Sequence, residues 1–519
     1  MKKKIGYIGI LCAVAFVLCS LLYMVERGTD GASIQSISDA LWYMVVTITT
    51  VGYGDLYPVT FWGKLIGFMF VLASMGLVGF LIATIISTFN SDGVKLFYLK
   101  KHSDENWYVF SEFNEKTSRL ISDIRSNGKG IFICLGENKD VSVPGVLNLG
   151  CSFKKIIGLR SNKSGLHLFF MKDCDNDYEN YSDYYNSCNE YLSDNVLPFH
   201  CYCLTEYVSE VIPINLVCFN EYENISRLYW NRYPLRGDLG YDEKIVIIGA
   251  GEYGSAILEH ALEGNVIKLG QKVEYHLFGD WKLFRTEHYR LKDCFSIDKK
   301  SDSGDSIFYH EESWQENIEE VENVSRIIIC DSDESNNLKV LSKLRKYFIL
   351  RNKELQIHVL YSRKLGDTRI STVGTIEDIY SEEFVLKEKH SSMAIGMHEI
   401  YRKENPAACD WNHLSPFKRQ SNLAVADHML LKMRMLNAAS PKEAYEKYLA
   451  LSDKERLDLW HLEHERWVRF HVANNWHYAP VRNDAVREHN LIVDFNSLPY
   501  EEQQKDAYSW ELLSKIENL

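Results

Sequence analysis

Two long apolar runs occupy the first hundred residues, whereas the rest of the chain alternates short apolar runs with amphipathic stretches. The first run, Ile5 to Val25, contains 21 residues without a charge, and the second extends from about Leu65 to Phe89. A helix that crosses a bilayer needs about 20 predominantly apolar residues. The pattern therefore predicts two transmembrane helices followed by a large water-soluble region.

Lysines flank both apolar runs on their outer sides. Lys2–Lys4 precede the first run, and Lys95, Lys100 and Lys101 follow the second. Because basic flanks stay on the cytoplasmic side, we expect a helical hairpin with both termini in the cytoplasm. The alternative, a cleavable signal peptide, is disfavoured because Leu22–Glu26 lacks a small-x-small cleavage site. One hairpin cannot enclose a pore, so a channel built from it must oligomerise.

The loop between the two runs carries the most specific motif of the chain, Thr-Val-Gly-Tyr-Gly-Asp. A K⁺ ion gives up its water only where other oxygens replace it, and rings of backbone carbonyls supply them. Successive carbonyls that face one axis require alternating left- and right-handed backbone, and glycine adopts the left-handed form at little cost. The predicted selectivity filter consists of Thr50, Val51, Gly52, Tyr53, Gly54 and Asp55.

The segment Ala40–Pro58 resembles the pore signature of potassium channels. The resemblance implies a pore helix over Ser38–Thr49 that directs its negative end toward the ion path. It also implies that the Thr50 hydroxyl is the innermost ligand and that Val51 and Tyr53 pack against the pore helix. Four copies would surround one K⁺ pathway, which makes the expected assembly a homotetramer in a lipid bilayer.

Residues around the filter are expected to tune it. Trp42 is placed to hydrogen-bond Asp55 behind the filter, as in related channels. Apolar Val46 stands where some relatives have an acid, so inactivation of the filter would differ. Gly76 and Gly79 lie in the second apolar run. They form either a gating hinge or close-packing points between helices, where small residues are common.

A clear strand–turn–helix pattern begins at Lys244 and contains Gly-x-Gly-x-x-Gly. The next strand, Val273–Phe278, ends beside an acid, where a nucleotide ribose is usually held. Residues 241–385 therefore predict a Rossmann-type domain whose glycines let backbone amides approach a phosphate. Alternatively, the glycines only permit tight strand–helix packing. The candidate nucleotide-binding residues are Gly249, Gly251, Glu252, Tyr253, Gly254 and Asp280.

The preceding stretch, 106–237, has the same layout without the glycines. Ser111, Phe113 and Lys116 occupy the glycine positions, so we expect a degenerate copy that does not bind a dinucleotide. Together, residues 104–385 resemble the tandem regulator-of-K⁺-conductance (RCK) domains found below many prokaryotic channels. The resemblance implies a gating ring beneath a pore in the inner (plasma) membrane of a prokaryote, with NAD(H), ATP or ADP as candidate ligands.

The C-terminal third has helical patterns over Phe417–His428 and Leu459–Trp467, with aromatic and basic clusters after them. Residues 411–512 resemble the ryanodine-receptor repeat (RyR) module of bacterial proteins, except that Ala479 stands where relatives often have glycine. Aromatic faces stack on bases and arginine forks hold phosphates, which favours a cyclic or ADP-ribose-type messenger. Alternatively, Trp467 and Trp476 are core residues. The candidate RyR-module ligand residues are Arg466, Trp467, Trp476, Tyr478, Arg482, Asp484 and His489.

Metal binding and catalysis find little support in the sequence. Glu463 and His464 have no second ligand pair at a fitting spacing, so we interpret them either as groups on a helix surface or as hydrogen-bonding groups within the domain. The acids of Glu311–Glu322 fit a solvated helix face, with a divalent-cation site as the alternative. No nucleophile–base pair accompanies the glycine loop, which disfavours a membrane-anchored NAD-dependent enzyme.

Charge and cysteine content narrow the function further. The 519-residue chain has a net charge of −13, of which residues 1–100 contribute +2 and the rest −15. A binder of a nucleic acid polymer needs a basic surface, so we expect none. The 12 cysteines include no CxxC pair, which fits buried thiols in a reducing cytosol better than disulfides or a zinc site.

These patterns predict a K⁺ channel gated by a cytosolic nucleotide or nucleotide-derived messenger. Bacterial RyR-type modules often accompany antiviral signalling, so depolarisation of the membrane in defence is a further expectation. The alternatives are gating by a divalent cation or NAD(H) at the RCK ring, or a constitutively open pore. The predicted domains are an all-α pore module (1–90), a gating linker (91–105), two α/β Rossmann-like domains (106–237 and 241–385) and a mainly α RyR-like module (386–519).

Overall fold

The computed structural model describes residues 2–89, 92–136, 144–173, 178–206, 209–235, 243–322, 324–347 and 355–516. The chain forms two compact units, Met1–His102 and Ser103–Leu519, and each is described by itself.

The first unit is helical, with two long helices on either side of a short one. Its helices are α1 (Lys2–Glu26), α2 (Ile37–Ile48), α3 (Phe61–Phe89) and α4 (Asp92–Lys101). The expected pore helix is α2, which begins and ends one residue before the predicted bounds. Across the residues that the structure describes, none of the helices reaches the length and apolarity required of a membrane span.

The start of α2 is fixed by local sequence. The Ser36 hydroxyl accepts a hydrogen bond from the Asp39 amide at 3.1 Å, and the Asp39 carboxylate accepts one from the Ser36 amide at 2.8 Å. This reciprocal capping box satisfies two amides at the start of the helix. The helix then buries Ala40 in a small core with Cys19 of α1 and Phe70 of α3. The filter segment therefore follows a helix that is anchored on both long helices.

The described part of the expected linker, 91–105, is helical over most of its length, a feature on which the sequence analysis made no prediction. Helix α4 carries Asp92 in its first turn and Lys100 and Lys101 in its last turn. Acids near a helix start and bases near its end interact favourably with the helix dipole. The charges that mark the segment as polar are therefore the same charges that favour a helix.

The first Rossmann-like domain has one parallel sheet with helices on both faces. Its elements are β1 (Trp107–Phe110), α5 (Glu115–Asn127), β2 (Ile131–Cys134), β3 (Val146–Asn148), α6 (Phe153–Leu159), β4 (Leu166–Phe170), α7 (Tyr178–Cys188), β5 (Val196–Leu204), β6 (Ile214–Phe219) and α8 (Glu221–Arg232). The strand order is β3-β2-β1-β4-β5-β6, the order of a dinucleotide-binding fold. The prediction missed β3, which has three residues and partly exposed side chains.

The second Rossmann-like domain repeats this plan with one additional strand. Its elements are β7 (Lys244–Ile248), α9 (Glu252–Gly264), β8 (Glu274–Phe278), α10 (Lys282–Glu287), β9 (Ser296–Ile297), β10 (Ser306–His310), α11 (Ile318–Glu322), β11 (Arg326–Ile329), α12 (Glu334–Tyr347), β12 (Gln356–Leu360), β13 (Ile370–Val373), α13 (Ile376–Ile379) and α14 (Glu382–Val385). The described strands lie in the order β13-β12-β11-β7-β8-β10-β9, all parallel. The prediction of parallel α/β architecture is confirmed, although it missed β9 and β13.

One hydrophobic core extends through both Rossmann-like domains. Strands β1, β2 and β11 bury every side chain, as expected where helices cover both faces of a parallel sheet. Helices α8 and α9 join the domains. Trp230 Nε1 donates to the Ile257 carbonyl at 2.8 Å, and the Ser226 hydroxyl donates to the Ala256 carbonyl at 2.7 Å. The two domains therefore form one packed body.

The terminal module is mainly helical, as predicted. Its elements are α15 (Lys389–Glu404), α16 (Pro416–Met435), α17 (Pro441–Leu449), α18 (Asp453–Ala473), β14 (His477–Tyr478), β15 (Glu488–His489), α19 (Tyr500–Gln503) and α20 (Tyr508–Glu511). Serine side chains cap three of these helices, from Ser415, Ser440 and Ser452. Proline follows the first two serines, and proline is well accommodated in the first helical turn. The local sequence therefore sets the starts of α16, α17 and α18.

Candidate functional site

The filter segment has left-handed backbone at alternate residues. The φ angles of Thr50, Gly52 and Gly54 are 57°, 59° and 71°. Val51 and Tyr53, between them, do not have positive φ. This alternation is the backbone pattern that the carbonyl argument requires. Thr50 adds an observation that sequence alone does not give, because a β-branched residue rarely adopts positive φ.

Helix α2 holds the filter segment from behind. The Val46 carbonyl accepts hydrogen bonds from the Val51 amide at 3.0 Å and the Gly52 amide at 3.3 Å. The Trp42 indole donates to the Asp55 carboxylate at 2.8 Å, which is the contact expected from the sequence. The Trp42 and Tyr53 rings stack 6.1 Å apart and 3° from parallel. These contacts fix the backbone of the segment while leaving its carbonyls uncommitted to side chains of α2.

Glu26 is a structural residue of this unit that the sequence analysis did not single out. Its carboxylate is fully buried at the end of α1. It accepts hydrogen bonds from the Val59 and Thr60 amides, each at 3.0 Å, and from the Thr60 hydroxyl at 2.6 Å. Gly63 lies so close that a Cβ there would collide with the carboxylate. Glu26 therefore ties the end of α1 to the start of α3.

The two glycines of α3 do not interrupt the helix, which runs unbroken from Phe61 to Phe89. A Cβ at Gly76 or Gly79 would meet no other described atom within 4 Å. Within one chain, neither glycine is therefore a close-packing point. The hinge remains a prediction, as does packing between copies of the chain.

The glycine-rich loop of the second domain lies between β7 and α9. Strand β7 pairs with β8 on one side and β11 on the other, so the loop sits where the strand order reverses. Ligands of open α/β sheets bind at this switch point. Gly249 has φ 120°, and a Cβ there would lie 2.5 Å from the Asp331 amide. A Cβ at Gly254 would collide with the Gly249 carbonyl. Both glycines are therefore required for packing, whatever the loop binds.

Gly251 has no such packing role. The nearest atom to a Cβ there would be the Ser332 hydroxyl, at 3.7 Å. Gly251 begins α9, and no side chain caps this helix among the described residues. Helix starts without a side-chain cap are where phosphate sites of this fold lie. Asp280 is exposed after β8, and its carboxylate accepts a hydrogen bond from the Lys282 amide at 3.3 Å, so it fits the ribose position.

Two other candidates at this loop have different surroundings. Glu252 is exposed in the first turn of α9. The Tyr253 ring packs edge-on against Tyr222 of α8, with centroids 4.6 Å apart. Trp281 is buried beside Gly254, and its indole nitrogen has no hydrogen-bond partner among the described residues. Tyr253 therefore joins the two domains, and Trp281 closes one side of the loop.

In the first domain, side chains fill the corresponding loop. The Ser111 hydroxyl accepts a hydrogen bond from the Met171 amide at 2.9 Å. The Lys116 ammonium pairs with Glu221 at 2.8 Å, and Phe113 packs against the shared core. These contacts occupy the space that glycines would leave for a pyrophosphate, which is consistent with the predicted loss of dinucleotide binding.

A buried ion cluster lies inside the terminal module. Arg466 donates to the Glu463 carboxylate at 2.9 and 3.0 Å, and Lys432 pairs with the same carboxylate at 2.8 Å. Burial would raise the pKa of Glu463, but the charges of Arg466 and Lys432 hold it well below its usual range. Burial lowers the pKa of Lys432 to about 8. Arg466 is 1% exposed, so in this structure its guanidinium serves the core rather than a ligand.

The other candidates of the RyR-like module do not form one site. Trp476 and His489 are buried, 5% exposed each, and Trp476 stacks on Phe417 with centroids 5.0 Å apart. Trp467 is half-buried and contacts His471 and His489. On the surface, Arg482 pairs with Asp484 at 2.6 Å. The structure thus separates the predicted set into core aromatics and an exposed ion pair.

Tyr478 alone of that set lines a cleft of about 430 Å³ between the second Rossmann-like domain and α18. The cleft also contains His461, His464 and Arg469. Arg469 pairs with buried Asp305 at 2.6 Å, and His464 Nε2 lies 3.0 Å from the Val493 carbonyl. These are contacts between elements of the fold, which agrees with the interpretation of His464 as an intradomain hydrogen-bonding group.

The acidic stretch 311–322 is partly engaged in local contacts. Glu320 pairs with Lys244 at 2.5 Å, and Glu316 accepts hydrogen bonds from Ser313. Within the described ranges of the chain, no group of three or more His, Cys, Asp or Glu side chains could hold a metal ion.

Comparison with known proteins supports the assignment of the N-terminal unit. Residues 10–91 match the family described as "Ion channel". Over 94 residues the chain is 38% identical to potassium voltage-gated channel subfamily A member 6 of Homo sapiens. The matched segment covers 17% of this chain and 18% of that protein. Member 5 of the same subfamily from Mus musculus is 37% identical over 94 residues, 17% of this chain and 16% of that protein. The chain thus spans less than a fifth of these relatives, and the similarity lies in its N-terminal segment.

Solved structures resemble larger parts of the chain at low identity. A structure of GsuK bound to ADP covers 75% of this chain and 99% of that chain, with 12% identity and a TM-score of 0.36. The GsuK channel bound to NAD covers 76% of this chain and 85% of that chain, with 10% identity and a TM-score of 0.36. A TM-score of this size does not establish a common fold.

Proposed function

We propose that the chain is the subunit of a homotetrameric, K⁺-selective channel that is gated by a cytosolic nucleotide or nucleotide-derived messenger. The observation that carries the proposal is the filter backbone, with positive φ at Thr50, Gly52 and Gly54. Alternating backbone of this kind lets successive carbonyls replace the hydration shell of K⁺. Because one filter segment cannot surround an ion, the proposal requires four copies around one axis.

The surroundings of the filter support this proposal. A carbonyl ring selects an ion only when its diameter and dipoles are held, and α2 holds them here through the Val46 carbonyl and the Trp42–Asp55 hydrogen bond. The match of residues 10–91 to an ion-channel family supports a membrane location. We propose that α1 and α3 span the inner membrane of a prokaryote, with both termini in the cytoplasm.

The glycine-rich loop supports a nucleotide as the gating ligand. The uncapped start of α9 would bind a phosphate, and Asp280 would bind the ribose. Moving a gate from 1:99 to 99:1 needs about 5.5 kcal/mol of differential binding. Shared over four subunits, this is about 1.4 kcal/mol each, which is within reach of one or two net hydrogen bonds.

We further propose that opening depolarises the membrane as an output of antiviral defence. The support is the likeness of residues 411–512 to RyR-type modules. The exposed pair Arg482–Asp484 and Tyr478 in its cleft are the groups of this module that a messenger would reach first.

The test is K⁺ flux from liposomes that contain the full chain, measured against a panel of ATP, ADP, NAD(H), cyclic nucleotides and ADP-ribose. Three variants accompany the wild type. Gly52→Val puts a β-branched residue at φ 59° and should abolish flux altogether. Gly251→Asp places a carboxylate at the start of α9, and Arg482→Ala removes the surface guanidinium.

We expect flux that favours K⁺ over Na⁺ and responds to one nucleotide of the panel. Loss of that response in Gly251→Asp alone would assign the sensor to the glycine loop, and loss in Arg482→Ala alone would assign it to the terminal module. Equal passage of Na⁺ would refute the pore assignment. Selective flux that ignores the whole panel, and ignores divalent cations, would indicate a constitutively open channel.

A further inference from the structure

A cavity of about 740 Å³ lies between the first Rossmann-like domain and the terminal helices. Three helices start at its wall. Residues of the first turns of α8, α15 and α16 line it, including Asn220, Ser391 and Pro416. Asn220 and Ser415 cap α8 and α16, whereas no described side chain caps α15. Each helix start carries a partial positive charge, so three starts at one cavity favour an anion.

A buried guanidinium adds a full positive charge to this wall. Arg419, in the first turn of α16, is 4% exposed. Its guanidinium donates to the Leu414 carbonyl at 2.8 Å and the Ser209 carbonyl at 2.5 Å. No described carboxylate forms an ion pair with it, and burial lowers the pKa of Arg419. A buried charge without a counter-ion is costly, which is the situation that a bound anion relieves.

The acids of the cavity do not supply that counter-charge, because most of them have other partners. Glu399 pairs with Arg402 at 2.8 Å, Asp410 lies 2.8 Å from the His413 ring, and Glu223 accepts a hydrogen bond from the Gln420 side chain at 2.7 Å. Burial raises the pKa of Glu388, the acid at the start of α15, to about 7. Near neutral pH a large share of the Glu388 carboxyl is therefore protonated and repels an anion only weakly.

An unpartnered donor points to a missing ligand at the same wall. Asn224 of α8 lines the cavity and is 4% exposed. Its amide nitrogen has no hydrogen-bond partner among the described residues. Buried amide donors nearly always have a partner, so this one calls for an acceptor from outside the chain. The donor is independent of the helix starts and of Arg419.

The rest of the cavity is apolar enough and large enough for a base and sugar. Leu386, Ile395 and Trp411 contribute to its lining. Pockets for small organic ligands have volumes of about 300 to 1,000 Å³, with apolar walls and a few polar groups that fix orientation. A phosphate alone would leave most of this cavity unfilled.

We propose that this cavity binds a phosphorylated ligand of nucleotide size, with the phosphate held by Arg419, Asn224 and the surrounding helix starts. The site is distinct from the glycine-rich loop and belongs to the domain that has lost its own glycines. The proposal is independent of ion conduction, because the experiment that tests it measures ligand binding.

The test measures binding of radiolabelled ADP to the full chain in lipid nanodiscs by equilibrium dialysis. All chains carry Gly251→Asp, which removes the contribution of the glycine loop. In this background Asn224→Asp replaces the unpartnered donor by a carboxylate of the same shape. Asn186→Asp makes the same change on the exposed surface of α7 and is the matched control. Ile395→Trp fills the cavity without changing charge, in case Asn224→Asp fails to fold.

We expect the Gly251→Asp chain to retain one ADP site per chain. Asn224→Asp and Ile395→Trp should each weaken binding about tenfold or more, because one like charge or one steric block is worth at least 1.4 kcal/mol here, and Asn186→Asp should not. Inorganic phosphate should compete with ADP, whereas adenosine should compete poorly.

Three results would overturn the proposal: no bound ADP in the Gly251→Asp chain, binding that neither cavity variant weakens, or competition by adenosine as strong as by phosphate. If the site binds ADP but liposome flux shows no selectivity for K⁺, the proposed channel function fails and the site stands.

Discussion

The carboxylate of Glu26 is predicted to hold the ion-channel unit together. Glu26 is the only described acceptor that receives both the Val59 and the Thr60 amides at the start of α3. It receives the Thr60 hydroxyl as well, at 2.6 Å. Removing the side chain in Glu26→Ala leaves two partly buried amides without that acceptor, whereas the hydroxyl can rotate to another one.

The magnitude follows from these bonds. A buried donor left unsatisfied costs about 1 to 3 kcal/mol, and these two amides are partly buried, so we expect about 2 to 4 kcal/mol for Glu26→Ala. Glu26→Gln keeps the shape but replaces one carboxylate oxygen by a donor that faces other donors. It therefore loses one charge-assisted bond and should cost about 1 to 3 kcal/mol.

The assay is thermal unfolding of the full chain in nanodiscs, followed by tryptophan fluorescence, together with liposome K⁺ flux. Asp30→Asn is the matched control, because it removes an exposed carboxylate four residues further along the chain. We expect Asp30→Asn to have the highest unfolding temperature of the three variants, Glu26→Gln a lower one and Glu26→Ala the lowest. K⁺ flux should decrease in the same order. If Glu26→Ala unfolds at the temperature of Asp30→Asn, the three hydrogen bonds do not anchor α3 and the reasoning is wrong.

Two further predictions concern the second unit. Gly249→Ala should lower the unfolding temperature of the chain markedly, because the new Cβ would lie 2.5 Å from the Asp331 amide. Gly251→Ala should leave the unfolding temperature unchanged. Equal effects of the two variants would contradict the division between packing and binding glycines. Burial raises the pKa of Glu388 in the folded chain to about 7, against 4.5 in the unfolded chain. As the pH rises, the unfolded chain therefore loses this proton first. The contribution of Glu388 to the free energy of unfolding is complete below pH 4.5 and is lost as the pH rises to about 7. Glu388→Gln should therefore unfold like wild type at pH 4 but be more stable by about 1 to 3 kcal/mol at pH 8, as measured by urea unfolding at both values.

Much of the architecture could be predicted because local sequence patterns, such as apolar runs and short motifs, determine it. The apolar runs predicted α1 and α3 to within about four residues at each end, and the Thr-Val-Gly-Tyr-Gly-Asp motif marked the filter. The glycine motif located β7 and α9, since the turn between this strand and this helix requires glycines at those positions. Short strands were missed because three residues with mixed burial carry no periodicity.

The ligand candidates of the terminal module were harder to predict, because the chemical type of a side chain does not show whether it is buried in the folded protein. Arg466 and Arg482 look equally suited to a phosphate in sequence, yet one is enclosed with Glu463 and the other lies on the surface. The two arginines differ in partners that come from elsewhere in the fold. Likewise, Asn224 and Arg419 lie almost 200 positions apart, and only the packing of α8 against α16 places them at one cavity.

That packing also brings helix α16 of the terminal module into contact with both Rossmann-like domains. Helix α16 binds the first domain through Arg227–Asp427 at 2.6 Å. It contacts the second domain where His428 Nε2 lies 2.9 Å from the Val266 carbonyl. Any ligand that favours one position of α16 must change the energy of contacts on both sides. By thermodynamic reciprocity, a ligand at the cavity and a nucleotide at the glycine loop would then alter each other's affinity by the same factor.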